Sequence, residues 1–198
     1  MKKLILLFLL ALSCSTFAQT TRRVNSDPSI TGVNVYNTIQ AAVNAANTND
    51  IILIEPAGIK NENPSGSQYS ESVTINKKIH IRGNGRQIYM SVAEVLPFVP
   101  YDDRIVQVDA FSFGTGSSGS SIKHCQVNNI YIADSRILIE NCQRSGSQGI
   151  VIYLKSIAGI FNADSVTIKK SMITAVSFSH SNNATVNTYL KIQNCYLG

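Results

Sequence analysis

The feature that most constrains the fold of this sequence is a series of short β-branched runs that recurs from residue 51 to residue 192. The runs consist of Ile, Val and Leu, which in some runs alternate with other residues, and Gly, Asn or Ser residues lie between the runs. Such runs predict strands, and helical patterns of about 10 to 15 residues are absent between them, so an all-β fold is favoured over alternating strands and helices. The runs lie at 51–54, 73–75, 79–81, 130–132, 137–139, 150–152, 166–168 and 190–192.

Four segments share a register, Ile-x-x-Cys or Ile-x-x-Ser. The motifs begin at successive offsets of 17, 29 and 24 residues, at Ile122, Ile139, Ile168 and Ile192. Such offsets are expected for coils of a β-solenoid with loops of variable length, in which equivalent residues stack into ladders. The residues that end the motifs are then predicted to face inward with reduced thiols; they are Cys125, Cys142, Ser171 and Cys195. A Cys125–Cys142 disulfide is the alternative.

The first eighteen residues predict an export signal peptide. Lys2 and Lys3 precede an apolar stretch at 4–12, and small residues precede a cleavage site after Ala18. We therefore expect a secreted or cell-surface protein, with lipidation at Cys14 as the less favoured alternative. Without residues 1–18 the net charge falls from +5 to +3, and no downstream basic cluster indicates nucleic-acid binding. No later segment is long and apolar enough to predict a transmembrane span.

The rest of the chain is predicted to form one domain with a lead-in. Residues 19–36 are polar and predict an irregular segment. Residues 37–49 predict a short amphipathic helix, in which Asn37 precedes Gln40 by three positions in a capping-box arrangement. Residues 51–198 then supply the strands. The apolar face of the helix is formed by residues at helical spacing, Ile39, Ala42, Val43 and Ala46.

Residues 36–85 resemble the N-terminal part of right-handed parallel β-helix proteins of the pectin-lyase-like superfamily. The resemblance rests on a Thr-Ile-Gln-Ala-Ala helix at 38–42, a strand that runs into Pro56 and Gly58, a Tyr-x-Glu-x-Val-x-Ile strand at 69–75, and a Gly-rich turn at Gly83. It implies a right-handed parallel β-helix over residues 37–198, with the helix capping its N-terminal end. No C-terminal cap is visible, so we expect either a truncated product or association with another chain through that end.

Candidate site residues come from comparison with what enzymes of this superfamily require. These proteins include polysaccharide lyases, glycoside hydrolases and pectin esterases, besides non-catalytic surface proteins. Asp109 lies in a segment similar to one of the esterases. Asp134 and Arg136 offer the carboxylate and the base that a calcium-dependent lyase needs. All three residues also fit structural positions on strands or turns, as do the separated histidines, His80, His124 and His180.

The sequence therefore predicts an exported β-helix that binds polysaccharide or a cell-surface glycan without catalysis and without a metal or cofactor. One alternative is a pectate-lyase-like or pectin-esterase-like enzyme whose site is incomplete in this chain, with Ca²⁺ as the ion of a lyase. Another alternative is a structural segment of an adhesin. Because Trp is absent, sugar stacking would fall to tyrosines, namely Tyr69, Tyr89, Tyr101, Tyr131 and Tyr153.

Overall fold

The computed structural model describes residues 19–56, 69–84, 106–144, 149–155, 163–179 and 189–197. The predicted export signal lies outside these ranges. Within them the chain forms one helix, α1 (Ile39–Ala45), and fourteen strands. The strands are β1 (Thr21–Val24), β2 (Val35–Tyr36), β3 (Ile51–Ile54), β4 (Tyr69–Ile75), β5 (His80–Gly83), β6 (Gln107–Phe113), β7 (Ser121–Lys123), β8 (Gln126–Ile132), β9 (Leu138–Glu140), β10 (Ile150–Lys155), β11 (Val166–Lys169), β12 (Met172–Ser179), β13 (Leu190–Gln193) and β14 (Tyr196–Leu197).

The strands form two sheets in which the paired strands run parallel. The first sheet has eight strands in the order β13-β11-β9-β7-β5-β3-β1-β2, and the second has six in the order β14-β12-β10-β8-β6-β4. From β3 to β14, consecutive strands alternate between the two sheets. The all-β prediction is therefore confirmed at the level of parallel sheets with one helix, an arrangement compatible with a β-helix.

A row of isoleucines runs along the core side of the eight-stranded sheet. The row consists of register partners on β3, β5, β7, β9, β11 and β13, namely Ile52, Ile81, Ile122, Ile139, Ile168 and Ile192. All but the last are buried. The six-stranded sheet adds buried rows to the same core, including Val73, Phe111, Ile130 and Ile152. Similar side chains in register form a layer of constant thickness, which allows close packing along the sheets.

A bend with one left-handed residue follows four strands of the eight-stranded sheet. His124, Asn141, Lys170 and Asn194 have φ between 48° and 57°, and each directly precedes the Cys or Ser of the repeated motif. The Sγ or Oγ atoms of these Cys and Ser residues lie 2.8–3.4 Å from the carbonyl oxygen two residues earlier. The three cysteines that the structure describes are free; Cys125 and Cys142 are buried, and Cys195 is partly buried. The predicted reduced thiols at equivalent positions are thus confirmed.

The N-terminal segment is more regular than the sequence predicts. Residues 19–36, expected to be irregular, contain β1 and β2, and β1 pairs with β3 over its whole length. The alternation of β1 is hidden in the sequence because Arg22 occupies the position equivalent to the isoleucine row. Its Nε lies 3.0 Å from Oδ2 of Asp50, and both side chains are buried. At this register position, an ion pair replaces the apolar contacts that the isoleucines make on the other strands.

The helix is shorter than predicted and has a different N-cap. It begins at Ile39 and ends at Ala45, and Thr38 caps it by accepting a hydrogen bond from the Ala41 amide at 3.2 Å. Asn37 does not act as the N-cap because its amide donates instead to the carbonyl of Asn25, at 3.2 Å. The prediction of Asn37 as the N-cap residue is therefore wrong, because Thr38 has that role, although a helix at this place is confirmed.

The helix covers the free edge of the six-stranded sheet. The Glu71 carboxylate on β4 accepts hydrogen bonds from the backbone amides of Ile39 and Gln40, both at 3.0 Å. The Gln40 side chain in turn bonds the backbone N–H of Thr74 at 2.8 Å and its carbonyl at 3.2 Å. These contacts satisfy groups that an edge strand would leave open to pairing with another chain.

The end of the two sheets that lies opposite the helix is more open, in the residues of β12 and β13 that the structure describes. Ile192 on β13 is 46% exposed and Phe178 on β12 is 49% exposed, although their register partners Ile168 and Leu154 are fully buried. The core rows therefore continue into the last described strands without being covered there. Association with another chain through this edge stays a prediction.

Candidate functional site

The outer face of the eight-stranded sheet carries a set of cations that we call the cationic row: Arg82, Lys123, Lys169 and Lys191. The first three occupy one register position on β5, β7 and β11, and Lys191 lies two positions earlier on β13. Glu140 occupies the shared position on β9 and is the only acidic residue in these five strands. Neighbouring strands lie about 4.8 Å apart, and like charges at this separation destabilise a sheet.

Glu140 neutralises one member of the cationic row. Its Oε2 lies 2.8 Å from Nζ of Lys123. That hydrogen bond lowers the pKa of Glu140 against the opposing effect of partial burial, and the charges of Lys123, Lys169 and Lys170 lower it further. Arg82 and Lys169 form no ion pair with any residue in the described part of the chain. The row therefore keeps a net positive charge that a bound anion would offset.

A groove of about 370 Å³ opens on the same face. Its lining combines cations with small polar and aliphatic groups, so that it offers both charge and apolar contact. Adjacent register positions on β3, β5, β7 and β9 contribute most of it. The residues that line it are Gln19, Ile51, His80, Ile81, Arg82, Gly119, Ser120, Ser121, Lys123, Arg136 and Leu138.

A hydrogen-bonded pair, His80 and Ser121, lies in this groove. The two residues are register partners on β5 and β7, and Nδ1 of His80 lies 2.9 Å from Oγ of Ser121. Burial lowers the pKa of His80, and the charges of Lys78 and Lys123 lower it further. The imidazole is therefore neutral at pH 7, the form in which it accepts a proton.

Sequence reasoning missed this pair, because His80 and Ser121 are 41 residues apart. A signal was nevertheless present. Had the isoleucine register been extended back from Ile122 to Ile81, the residues directly before each isoleucine would have been placed side by side.

The other histidines contribute less to the site. His124 lies in the bend after β7, where burial and the charges of Arg82 and Lys123 lower its pKa against a smaller opposing effect of Glu140. His180 lies outside the described residues.

The structure does not bring the three candidate residues Asp109, Asp134 and Arg136 together. Asp109 lies on β6 of the six-stranded sheet, where its Oδ1 accepts a hydrogen bond from Asn128 at 3.4 Å. Arg136 follows β8 and lines the groove, and its Nε donates to Oγ of Ser118 at 3.1 Å. Of the three, only Arg136 belongs to the groove.

Asp134 has a structural role in the turn that precedes β7. Its Oδ2 accepts hydrogen bonds from the backbone amides of Gly116 and Ser118 at 2.8 and 3.0 Å. Its Oδ1 accepts another from the Ser135 amide at 2.7 Å. Because these bonds occupy both oxygens, the carboxylate holds the turn in place and is poorly available to a ligand.

Of the tyrosines predicted to stack on a sugar, the three that the structure describes, Tyr69, Tyr131 and Tyr153, offer little open ring surface. Tyr131 and Tyr153, on the six-stranded sheet, stack on each other with their centroids 4.9 Å apart, and Lys155 Nζ lies 4.2 Å from the Tyr131 centroid. Tyr69 is buried, its hydroxyl donates to the Glu55 carbonyl at 2.7 Å, and burial raises its pKa to about 12. Tyr89 and Tyr101 lie outside the described residues.

The structure thus defines an all-β protein of two parallel sheets with a basic groove on one outer face. Within the described ranges, no group of three or more His, Cys, Asp or Glu residues is placed to hold a metal ion. In the same ranges, no helix is long and apolar enough to cross a membrane. No protein-family model, curated protein or solved structure matches the chain. The functional argument therefore rests on the chemistry of this face.

Proposed function

We propose that the protein is an exported, right-handed parallel β-helix of the pectin-lyase-like type that binds an anionic polysaccharide on the outer face of its eight-stranded sheet. The alternation of consecutive strands between two parallel sheets supports the β-helix, as does the helix at the β4 edge. The right-handed sense and the superfamily rest on the resemblance of residues 36–85.

The observation that carries the proposed ligand is the register of the cationic row. Arg82 and Lys169 lie three strands apart, about 14 Å at the usual spacing of parallel strands, with Lys123 and its partner Glu140 between them. A polymer that runs along the stacking direction would meet these cations in succession. A chain with regularly spaced carboxylates or sulfates complements this arrangement, whereas a neutral glycan does not.

The electrostatic repulsion within the cationic row of the free protein supports the same conclusion. Like charges at neighbouring positions of a sheet repel one another, and Glu140 offsets only part of that repulsion. An anionic ligand would remove the remainder and so bind more tightly to this face. The six-stranded sheet provides a comparison, because its strands carry Glu71, Asp109 and Lys155 as their charged residues and so have no cationic excess.

The test is binding of the purified protein to polygalacturonate and to dextran sulfate, with neutral dextran as the comparison, over a range of salt concentrations. We expect binding to the polyanions that weakens with salt, because exposed charges are screened. The triple variant Arg82→Gln, Lys123→Gln and Lys169→Gln should bind about 10- to 150-fold more weakly, at about 0.5–1 kcal/mol for each surface cation.

Lys155→Gln is the matched control, since it removes one cation from the other sheet. This variant should bind as the wild type does. The proposal fails if no polyanion binds at low salt, if dextran binds equally well, or if Lys155→Gln weakens binding as much as the substitution of a single member of the cationic row.

A further inference from the structure

We propose that Ser121 and His80 form a nucleophile–base pair that gives the groove an acyl-transfer activity, the hydrolysis of small esters that carry a negative charge. This inference goes beyond polymer binding and does not depend on it. It rests on the juxtaposition of a serine hydroxyl and an imidazole within a groove that cations line.

The geometry meets the first requirement of such a pair. The Oγ–Nδ1 distance of 2.9 Å is that of a hydrogen bond between a nucleophile and its general base. Two neighbouring parallel strands, β5 and β7, hold both residues, and their backbones are paired in register. Ser121 is only 6% exposed, yet it lines the groove, so a reagent that enters the groove would meet it.

A purely structural hydrogen bond is a poor explanation for this position. On the adjacent strands β3 and β9, the same register position holds Ile51 and Leu138. An aliphatic side chain is therefore accommodated on both sides of the pair, and it would contribute packing without the desolvation of two polar groups. The polar pair also lies at the groove, where a substrate can reach it.

The surroundings provide the charge that acyl transfer requires. Arg82 and Lys123 lie two residues further along the same strands, about 7 Å away and on the same face. Arg136 lines the groove as well. These cations would attract a negatively charged ester and stabilise the negative charge that develops on the carbonyl oxygen.

The step balances with water as the only co-reactant. The Ser121 Oγ forms a bond to the acyl carbon while its proton passes to Nδ1 of His80. The bond from the acyl carbon to the alkoxy oxygen breaks, and the leaving alcohol takes that proton. Water then attacks the acyl-serine, with His80 again accepting and returning a proton, and releases the carboxylic acid and the free hydroxyl.

The experiment combines covalent labelling with turnover. The purified protein is treated with a fluorophosphonate and digested, and the modified peptide is identified by mass. Hydrolysis of 4-nitrophenyl acetate and of 4-nitrophenyl hydrogen succinate is followed in parallel. We expect the label on Ser121, faster hydrolysis of the succinate ester, and a rate that falls in acid as His80 is protonated, at a lower pH than for an ordinary histidine.

Matched variants separate this role from a structural one. Ser121→Ala should lose the label and the activity. His80→Gln should lower both by about 100-fold or more, the range expected for a general base. Thr167→Ala, which changes the same register position two strands further from Ser121 on β11, should retain both. If Ser121→Ala does not fold, Ser121→Cys is used in its place. This variant keeps a nucleophile beside His80 and should react rapidly with iodoacetamide.

The inference is overturned if the wild type takes up no label, if the label lies on another residue, or if Ser121→Ala hydrolyses both esters at the wild-type rate. Because these probes are small, their reaction does not need the full cationic row. Failure here would therefore leave polyanion binding standing, and failure of polyanion binding would leave this result interpretable.

Discussion

Replacement of Arg22 by Ala should destabilise the protein more than replacement of its neighbour Arg23, although each arginine pairs with a carboxylate. The Arg22–Asp50 pair is buried, and the Asp50 side chain is 2% exposed, whereas the Arg23 side chain in the pair with Glu55 is 49% exposed. Removing Arg22 leaves a buried carboxylate without its counter-charge, which costs about 3–5 kcal/mol. Removing Arg23 breaks an exposed pair that solvent screens, and therefore costs much less.

The assays are thermal unfolding and urea unfolding at pH 7, both followed by circular dichroism because the chain has no Trp. For a domain of this size, 3–5 kcal/mol corresponds to a fall in Tm of about 6–20 °C. An unchanged m value would show that the native state itself lost stability. If Arg22→Ala lowered the free energy of unfolding no more than Arg23→Ala, the reasoning that burial decides how much an ion pair stabilises the fold would be refuted.

The same pair predicts a pH dependence. Burial raises the pKa of Asp50, but hydrogen bonds from the amides of Asn47 and Thr20, together with Arg22, outweigh burial and lower it below 3.8. A carboxyl group with a lowered folded-state pKa stabilises the fold above its unfolded-state pKa, and this contribution is lost as the pH falls through the folded-state pKa. The stability difference between the wild type and Arg22→Ala should therefore shrink below about pH 3.8.

Three further predictions concern the core. Gly83→Ala should cost about 1–3 kcal/mol in urea unfolding, because its new Cβ would lie 2.1 Å from the His124 carbonyl oxygen; a neutral effect would contradict this close approach. Ile122→Ala should cost about 2–5 kcal/mol by leaving a cavity in a fully buried row, and a loss under 1 kcal/mol would argue against that packing. Cys125 and Cys142 should resist a disulfide reagent at pH 8 until urea is added, because burial raises both thiol pKa values, that of Cys142 to about 12; rapid reaction of either would refute their burial.

Much of the fold follows from the sequence because periodicity and turn chemistry are local. The isoleucine motif predicted which residues share a ladder, and the structure places its four isoleucines in one register. The small residue of each motif is buried or partly buried, as the repeat predicted. The left-handed residue before it was not predicted. The strand β1 was missed since Arg22 stands where an apolar residue was expected, and partners distant in sequence, Asp50, Tyr36 and Asn34, make that position tolerable.

The site was less predictable because it depends on register between strands far apart in the chain. Asp134 was selected for its charge, but a carboxylate bonded to three backbone amides cannot be told in sequence from a free one. His80 acquires a chemical partner only through the pairing of β5 with β7. Outward residues carry no periodic signal of their own, so their neighbours become known only when the inward row has been aligned.

The bends after β7, β11 and β13 have a consequence for how such a chain can change in length. Each of them takes two residues between strands, His124-Cys125, Lys170-Ser171 and Asn194-Cys195, whatever the length of the return segment that follows β8, β10 or β12. Register is therefore reset locally in each of these three repeats. Because each strand pairs only with its neighbours in a sheet, duplication of one repeat would create new interfaces while leaving the remaining ones intact. Genetic gain or loss of whole repeats is thus a mutational route that this architecture tolerates, whereas insertion of a single residue in a bend would displace the strand directly after that bend from its row.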